Sequence, residues 1–472
     1  MAASPTRLSD MRSTVRGVKW PEVWNGPLAA LVALVKTIDE TQWMPAEEIA
    51  ARQRGQLSML VDHAARQSSH FRARLDRAGL RAADLAVDGG LRRLPVLGRR
   101  DLQVSGADLY CREVPPSHSP IVETRTSGST GEPVVVKRTG LNQLFANAMN
   151  IRFLLWQGLD FTSRCSAIRA HFSGYAVQND WGPPLSQLFE TGQQQAIPLT
   201  TDIKQQAAWL AEFRPTVLTI YPTNLDALSR HCRQHGIELA GLSRILTVGE
   251  TLSPRVRQEA ESTLAIDISD MYSSQELGAI AAACPESGLY HVMAEGLIVE
   301  VLDHEGNPCP EGEVGRITIT DLHNFATPLI RYDIGDYGEV AGPCPCGRGL
   351  PTLKRILGRE RNMLLKPDGT QHWPLVGFAR FRDIAPISQY QFIQRDLDRI
   401  EVRLVSERPV TAAQESELAG IIRGALGHPF RLQFTYFKGE IPRRPGGKFE
   451  EFLCEVDHRN VAEAGPSRRL MS

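Results

Sequence analysis

Between Glu47 and Leu80 apolar residues return every third or fourth position. Leu57, Leu60, Val61 and Ala64 fall at i, i+3, i+4 and i+7, the spacing of one buried helix face, and Gly79 stands where a C-terminal cap belongs. This stretch predicts a helical wrapper. The rhythm then changes: "IVETRT" and "VVVKRT" are β-prone runs on either side of "SGSTGEP", which predicts a hairpin. Farther along, "TVLTIY", a helix from Asn224, "RILTV", a helix from Pro254 and "AIDISDMY" alternate as βαβαβ, the signature of a parallel sheet. From Gly296 to Val340 the runs "LIVEVLDHEGNP" and "VGRITITDL" alternate apolar with polar positions between tight turns and predict a smaller β subdomain. Past Gly358, "DRIEVRLV", the helical "AAQESELAGIIRGAL" and "RLQFTYF" have the content of a compact α+β module.

A chain of 472 residues exceeds one ordinary core, so the expected division is a large domain over 1–357 and a smaller one over 358–472. Its 53 Lys and Arg nearly balance 54 Asp and Glu, for a net charge of -1. That balance removes any general electrostatic case for nucleic acid or an anionic membrane and makes a small molecule the expected partner. The apolar stretch "PLAALVALV" is far short of a membrane span and has no basic leader before it, so a soluble, cytoplasmic protein is expected. Eight cysteines over this length do not form a disulfide framework; they read as thiols or metal ligands, and only Cys344 and Cys346 lie close together.

Candidate chemistry falls just beyond the apolar runs, because open α/β sheets bind ligands at the carboxyl ends of their strands. Those positions read "YPTN" (Tyr221 to Asn224), "GET" (Gly249 to Thr251) and "YSSQE" (Tyr272 to Glu276), with Thr223 and Ser253 as competent helix N-caps. The hairpin loop is a further candidate. Its glycines let several N–H groups converge on one anion, and Ser127, Ser129 and Thr130 add hydroxyls. It is not a Walker loop, since Glu132 rather than Lys follows Gly131 and strands flank it on both sides. A solvated turn is the other reading of the same residues.

Taken in order, "TSGSTGEP", "GE", "MYSSQE", "LIRYDIGD" with "GRERNML", and "PRRPGGK" resemble the acyl-adenylate-forming (ANL) superfamily, and within it the phenylacetate–CoA ligase-like group. The resemblance covers nearly the whole chain. It implies an α/β fold: a large N-terminal adenylation domain with doubly wound sheets and a small β subdomain, and a mobile α+β C-terminal lid. It also implies an AMP-forming ligase in which a carboxylate attacks the α-phosphate of ATP, giving acyl-AMP and pyrophosphate, before an acceptor displaces AMP. Ser127, Gly128, Ser129, Thr130 and Gly131 would then grip the β- and γ-phosphates, and Glu276 would hold magnesium, a hard cation that favours carboxylate oxygens. Gly249, Glu250, Tyr272 and Ser273 would border the nucleotide, with Tyr272 along the adenine. Asp336 would accept both ribose hydroxyls, with Arg359 nearby, and Lys448 would bridge the carboxylate and α-phosphate. By family position the acid lies among His171, Phe172, Tyr175, Trp181, Tyr221 and Gly249, whose aromatic surface suits a planar acid.

The sequence departs from that pattern in places. Gln275 stands where the family has Thr, and Arg361 where the hinge has Asp or Lys. The stretch "LLKPDGTQHWP", Leu364 to Pro374, replaces the small residues that line the CoA tunnel. An amine therefore stands as an alternative acceptor to CoA or a carrier-protein thiol, and a non-catalytic nucleotide binder as an alternative to an enzyme. Cys284 and His291 of "CPESGLYH" with Cys344 and Cys346 of "CPCG" supply three thiolates and an imidazole, a set suited to a closed tetrahedral zinc site, with buried free cysteines as the other reading. Assembly as a homodimer is left open.

Overall fold

The structure, a computed structural model, describes residues 4–125, 134–359, 364–367, 371–372, 379–439, 441–442 and 450–456. The chain divides into two compact units, Met1–Ile356 and Leu357–Ser472. The first opens with α1 (Gly26–Thr41), α2 (Ala46–Gln67), α3 (Ser69–Ala78) and the short α4 (Arg99–Val104). The helical pattern read as continuous from Glu47 is interrupted at Ser68, which leaves the helical conformation and caps α3 by accepting the Phe71 N–H at 3.2 Å. Gly79 takes φ +63° and closes α3 as a left-handed cap. The apolar face of α1 buries Leu31, Val32, Val35 and Ile38 in the core. No helix among the described residues is long and apolar enough to cross a membrane.

Strands β1 (Ile121–Arg125) and β2 (Val135–Thr139) pair antiparallel, Ile121 opposite Thr139, as the hairpin reading expects. Thr139 then caps α5 (Gly140–Trp156), accepting the Asn142 N–H at 3.3 Å.

The alternating segment forms β3 (Cys165–Arg169), β4 (Ala176–Gln178), α6 (Leu185–Leu188), β5 (Gln194–Pro198), α7 (Ile203–Phe213), β6 (Val217–Ile220), α8 (Pro222–His235), β7 (Arg244–Val248), α9 (Pro254–Leu264) and β8 (Asp267–Ser274). It continues as β9 (Gly278–Ala283), β10 (Tyr290–Val292), β11 (Leu297–Leu302), β12 (Val314–Asp321), β13 (Tyr332–Val340) and β14 (Thr352–Arg359). All except the hairpin strands join one 12-stranded sheet in the order β11-β12-β13-β14-β10-β9-β8-β7-β6-β3-β5-β4. Strands β5, β3, β6, β7 and β8 are parallel, and Ile168, Ile197, Leu218, Ile220 and Ile245 are wholly buried, as continuous apolar runs require when both faces are covered.

Chain order reverses direction at β3: β5 lies to one side of it, and β6, β7 and β8 follow on the other. The crevice between the carboxyl ends of β3 and β6 is therefore the topological switch point, where such sheets bind ligands. The strands between Gly296 and Val340 form the antiparallel end of the same sheet, joined to the parallel half through β9, β10 and β14. That end curls strongly, because Tyr272 on β8 reaches Asp336 on β13 although three strands separate the two in the ladder.

The second unit contains β15 (Leu364–Leu365), β16 (Gln371–His372), α10 (Ala379–Ile384), β17 (Ile387–Gln394), β18 (Arg399–Ser406), α11 (Ala412–Leu426), β19 (Arg431–Phe437) and β20 (Phe452–Cys454). Its sheet runs β19-β18-β17-β20 over a core of Phe381, Phe392, Val402, Leu418, Ile422 and Phe430. Thr411 and Gln414 form a capping box at the start of α11, and Gly427 at φ +63° ends it.

Candidate active site

Three strand ends converge on the switch point. Tyr221 follows β6 and is the N-cap residue of α8, a place the sequence reading gave to Thr223. Thr223 sits inside the first turn instead, and both its N–H and its hydroxyl donate to Glu250 Oε2, at 3.0 and 2.7 Å. Glu250 thus satisfies an orphan donor of α8. Ser253 does cap α9, accepting the Val256 N–H at 3.3 Å. Gly249, directly after β7, adopts φ +75°, and a Cβ there would lie 3.0 Å from Tyr221 Cε1. The absent side chain lets the tyrosine ring lie over the strand end.

Arg169, the last residue of β3, faces the same ring, its guanidinium carbon 5.7 Å from the Tyr221 centroid. The Ala170 N–H meets the Tyr221 hydroxyl at 3.4 Å. Burial lowers the Arg169 pKa, with Tyr221 acting in the opposite direction. Sequence reasoning missed this residue: in "CSAIR" a terminal arginine reads as the boundary of an apolar run, although the strand-end rule applied to β3 would have flagged it.

Two further polar groups stand on the β8 side. The buried Tyr272 donates its hydroxyl to Asp336 Oδ2 at 2.8 Å, so the residues expected along the adenine and on the ribose do meet. Glu276 is 5% exposed, and its nearest cation is Arg99 of α4, 3.8 Å away. That separation is an ion pair beyond hydrogen-bond length, and no hydrogen bond reaches the Glu276 carboxylate among the described residues, so its oxygens suit a hard cation. Ser273 and Arg359 are half-buried at or near the ends of their strands, and Asp336 is half-buried in the middle of β13.

The aromatic residues expected around the acid separate. His171 is exposed beside the half-buried Phe172, ring centroids 4.6 Å apart. Tyr175 packs on Trp209 at 4.2 Å and accepts from Gln195 Nε2 at 3.3 Å. Trp181 is placed in the core instead: its indole N–H donates to the Ser163 carbonyl at 3.0 Å, and its ring lies 5.2 Å from Phe161. With its polar edge satisfied and its ring enclosed, it presents nothing to a ligand. Ser127, Gly128, Ser129, Thr130, Gly131, Arg361 and Lys448 lie outside the described residues.

A second cluster lies in the antiparallel end of the sheet. The ligand atoms of Cys284, His291, Cys344 and Cys346 all fall within 4.8 Å of one another. The Cys284 and Cys344 sulfurs are 3.8 Å apart, matching the edge of about 3.8 Å that a tetrahedron with zinc–sulfur bonds of about 2.3 Å requires. Cys346 Sγ and His291 Nε2 are 3.3 Å apart, against an edge of about 3.6 Å for sulfur and nitrogen ligands. Burial and then the Arg348 charge push His291 down to about 4, so its imidazole is neutral at pH 7, the form that ligates a metal. Burial opposes the Cys346 thiolate, but the Arg348 backbone N–H, the Cys344 thiol and the Arg348 guanidinium outweigh it and lower that thiol. The donor set therefore fits a closed tetrahedral ion.

The family model for AMP-binding enzymes matches residues 30–326. A phenylacetate–coenzyme A ligase of Thermus thermophilus is 27% identical over 456 residues, covering 88% of this chain and 98% of that protein. The phenylacetate–coenzyme A ligase of Escherichia coli is 25% identical over 450 residues, covering 90% and 99%. Among solved structures, a 2-hydroxyisobutyryl-CoA ligase holding an acyl-AMP superposes with a TM-score of 0.70 at 21% identity, over 89% of this chain and 93% of that one; at this identity the likeness shows the fold.

Proposed function

The chain belongs to the AMP-binding enzyme family, and from that membership we propose that it is an ATP-dependent carboxylate–CoA ligase. A carboxylic acid and ATP give enzyme-bound acyl-AMP and pyrophosphate, and the CoA thiol then displaces AMP to form the thioester. The observation that carries this reading is the Tyr272–Asp336 pair, held at 2.8 Å. It sets an aromatic ring beside a carboxylate with two acceptor atoms, which is what a purine and a ribose diol need. CoA is favoured as acceptor by the relatives that share nearly the full length of the chain. Of the loop that raised an amine as alternative, the described residues form β15 and β16, paired antiparallel with Leu364 opposite His372.

Each group then has a task. Glu276 would hold the magnesium that neutralises triphosphate charge, and the Ser127–Gly131 loop would supply donors to the same phosphates. Lys448, carried by the smaller unit as a mobile lid, would bridge the attacking carboxylate and the α-phosphate. Two anions approach each other in this step, so a cation between them lowers the barrier without forming a bond. Cys284, His291, Cys344 and Cys346 would hold a structural zinc ion, since four protein ligands leave no position for substrate.

Pyrophosphate exchange with a panel of benzoates, aryl acetates and fatty acids tests the reading. Lys448→Ala is expected to abolish exchange while leaving ATP binding largely intact. Undiminished exchange in that variant would remove Lys448 from the mechanism.

A further inference from the structure

At the switch point a cation stands without an anion among the described residues. Three other enclosed arginines close on acceptors: Arg152 on Glu295 at 2.6 Å, Arg331 on Glu300 at 3.0 Å, and Arg74 on the carbonyls of Ile330 and Pro95. No carboxylate among the described residues pairs with Arg169, whose neighbour is the neutral Tyr221, met through its ring 5.7 Å away and a side-chain hydrogen bond. Its own carbonyl is bonded by the Leu199 N–H at 3.1 Å and the Phe172 N–H at 3.4 Å, so the strand end that carries it is fixed. A guanidinium keeps its charge when enclosed, and one neutral tyrosine returns only part of the hydration it gives up.

Position in the sheet says which anion is missing. Between β8, which carries Tyr272, and β3, which carries Arg169, lie β7 and β6. Three interstrand spacings amount to about 14 Å, too far for Arg169 to grip a carboxylate reacting beside the nucleotide. Tyr221 and Gly249 stand between the two poles, an aromatic face and a floor without a side chain, which together accept an apolar spacer. We infer that Arg169 binds a second carboxylate of the substrate, so that the acid this enzyme activates is a dicarboxylic acid with one carboxylate adenylated on the β8 side and the other held at the end of β3.

The inference rests on the ligase reading, and matched acids separate the two. Pyrophosphate exchange is measured with phenylacetate against 4-carboxyphenylacetate and with hexanoate against adipate, in the wild type, Arg169→Met and Arg169→Lys. The wild type is expected to favour each diacid by roughly 10- to 100-fold in kcat/KM, the value of one charge-assisted hydrogen-bonded pair. Arg169→Met should collapse that ratio to about one, and Arg169→Lys should recover part of it. Equal wild-type use of both members of each pair overturns the inference and leaves the ligase intact. So does a ratio that Arg169→Met leaves unchanged while both rates fall, the result expected if the guanidinium grips the reacting carboxylate. Should Arg169→Met fail to fold, the wild-type ratio and Arg169→Lys decide. No exchange with any acid overturns the ligase reading and this inference together.

Discussion

In the cluster of Cys284, His291, Cys344 and Cys346 every reactive atom lies within 4.8 Å of the others, whereas in the crevice Arg169, Tyr221, Gly249, Tyr272 and Asp336 are spread over five strands and the turns that follow them. The surroundings differ in the same sense. Beside the cluster, Arg348 lies between Trp43 and Trp156, at 4.7 and 4.8 Å, and donates to Gln42 Oε1 at 2.8 Å, tying the end of α1 to the loop between β13 and β14. The crevice instead leaves Arg169, Tyr221 and Asp336 half-buried. Polar groups that saturate one another hold a fold together. Groups left partly open at strand ends are available to a ligand.

Breaking the closed cluster should therefore cost stability first. Elemental analysis is expected to find about one zinc per chain, and chelation or Cys346→Ala should lower the melting temperature by roughly 10 °C, corresponding to several kcal/mol. Purified protein without stoichiometric zinc, or a melting temperature indifferent to chelators, would remove the metal.

The crevice should respond in the opposite way. Asp336→Ala is expected to lower kcat/KM for ATP in the exchange reaction by about 100-fold or more, since an ionised acceptor of two hydroxyls is lost, while the melting temperature moves by only about 2 °C. A variant that keeps its exchange rate would break the assignment of this end of the sheet to the nucleotide.

The two regions were also unequally legible in the sequence. The Cys/His set was readable because its members fall in two short segments, Cys284 to His291 and Cys344 to Cys346, with sulfur and imidazole chemistry that few other roles require. Tyr221, Gly249 and Tyr272 were readable because apolar runs locate strands, and strand ends locate ligands. Trp181 was misplaced because an aromatic residue after a strand looks the same whether it faces a ligand or Phe161. Arg169 went unseen since a charge beside an apolar run ordinarily marks the solvent. Neither the curl that brings Tyr272 to Asp336 nor the contact of Asn142 with Asp321, 179 positions apart, leaves any local periodicity to read.

That last contact belongs to a third kind of polar group, enclosed yet neither closed upon a ligand nor open to one, and it gives the smallest effect. Asp321 ends β12, accepts from Asn142 Nδ2 at 3.2 Å and from the His323 N–H at 3.0 Å, and is raised by burial to about 6 against the His323 N–H and Arg138. His323 stacks on Phe145, centroids 3.8 Å apart, and burial, opposed by the Gly296 carbonyl and aided by His118, lowers it to about 4. A lowered histidine contributes stability that is full above its usual value near 6.5 and is lost as pH falls toward 4. A raised aspartate contributes stability that is full below its usual value near 3.8 and is lost as pH rises through about 6. The two oppose each other in one window, so the wild-type slope alone does not separate them. His323→Phe keeps a ring against Phe145 and removes the titration, together with the hydrogen bond to the Gly296 carbonyl. Between pH 6.5 and 5 the wild type should lose about 1 kcal/mol more than the variant, read from denaturant midpoints across that range. Parallel pH profiles would mean that His323 titrates alike in the folded and unfolded chains, and that the enclosure behind α5 is wetter than Phe145 and Asn142 make it.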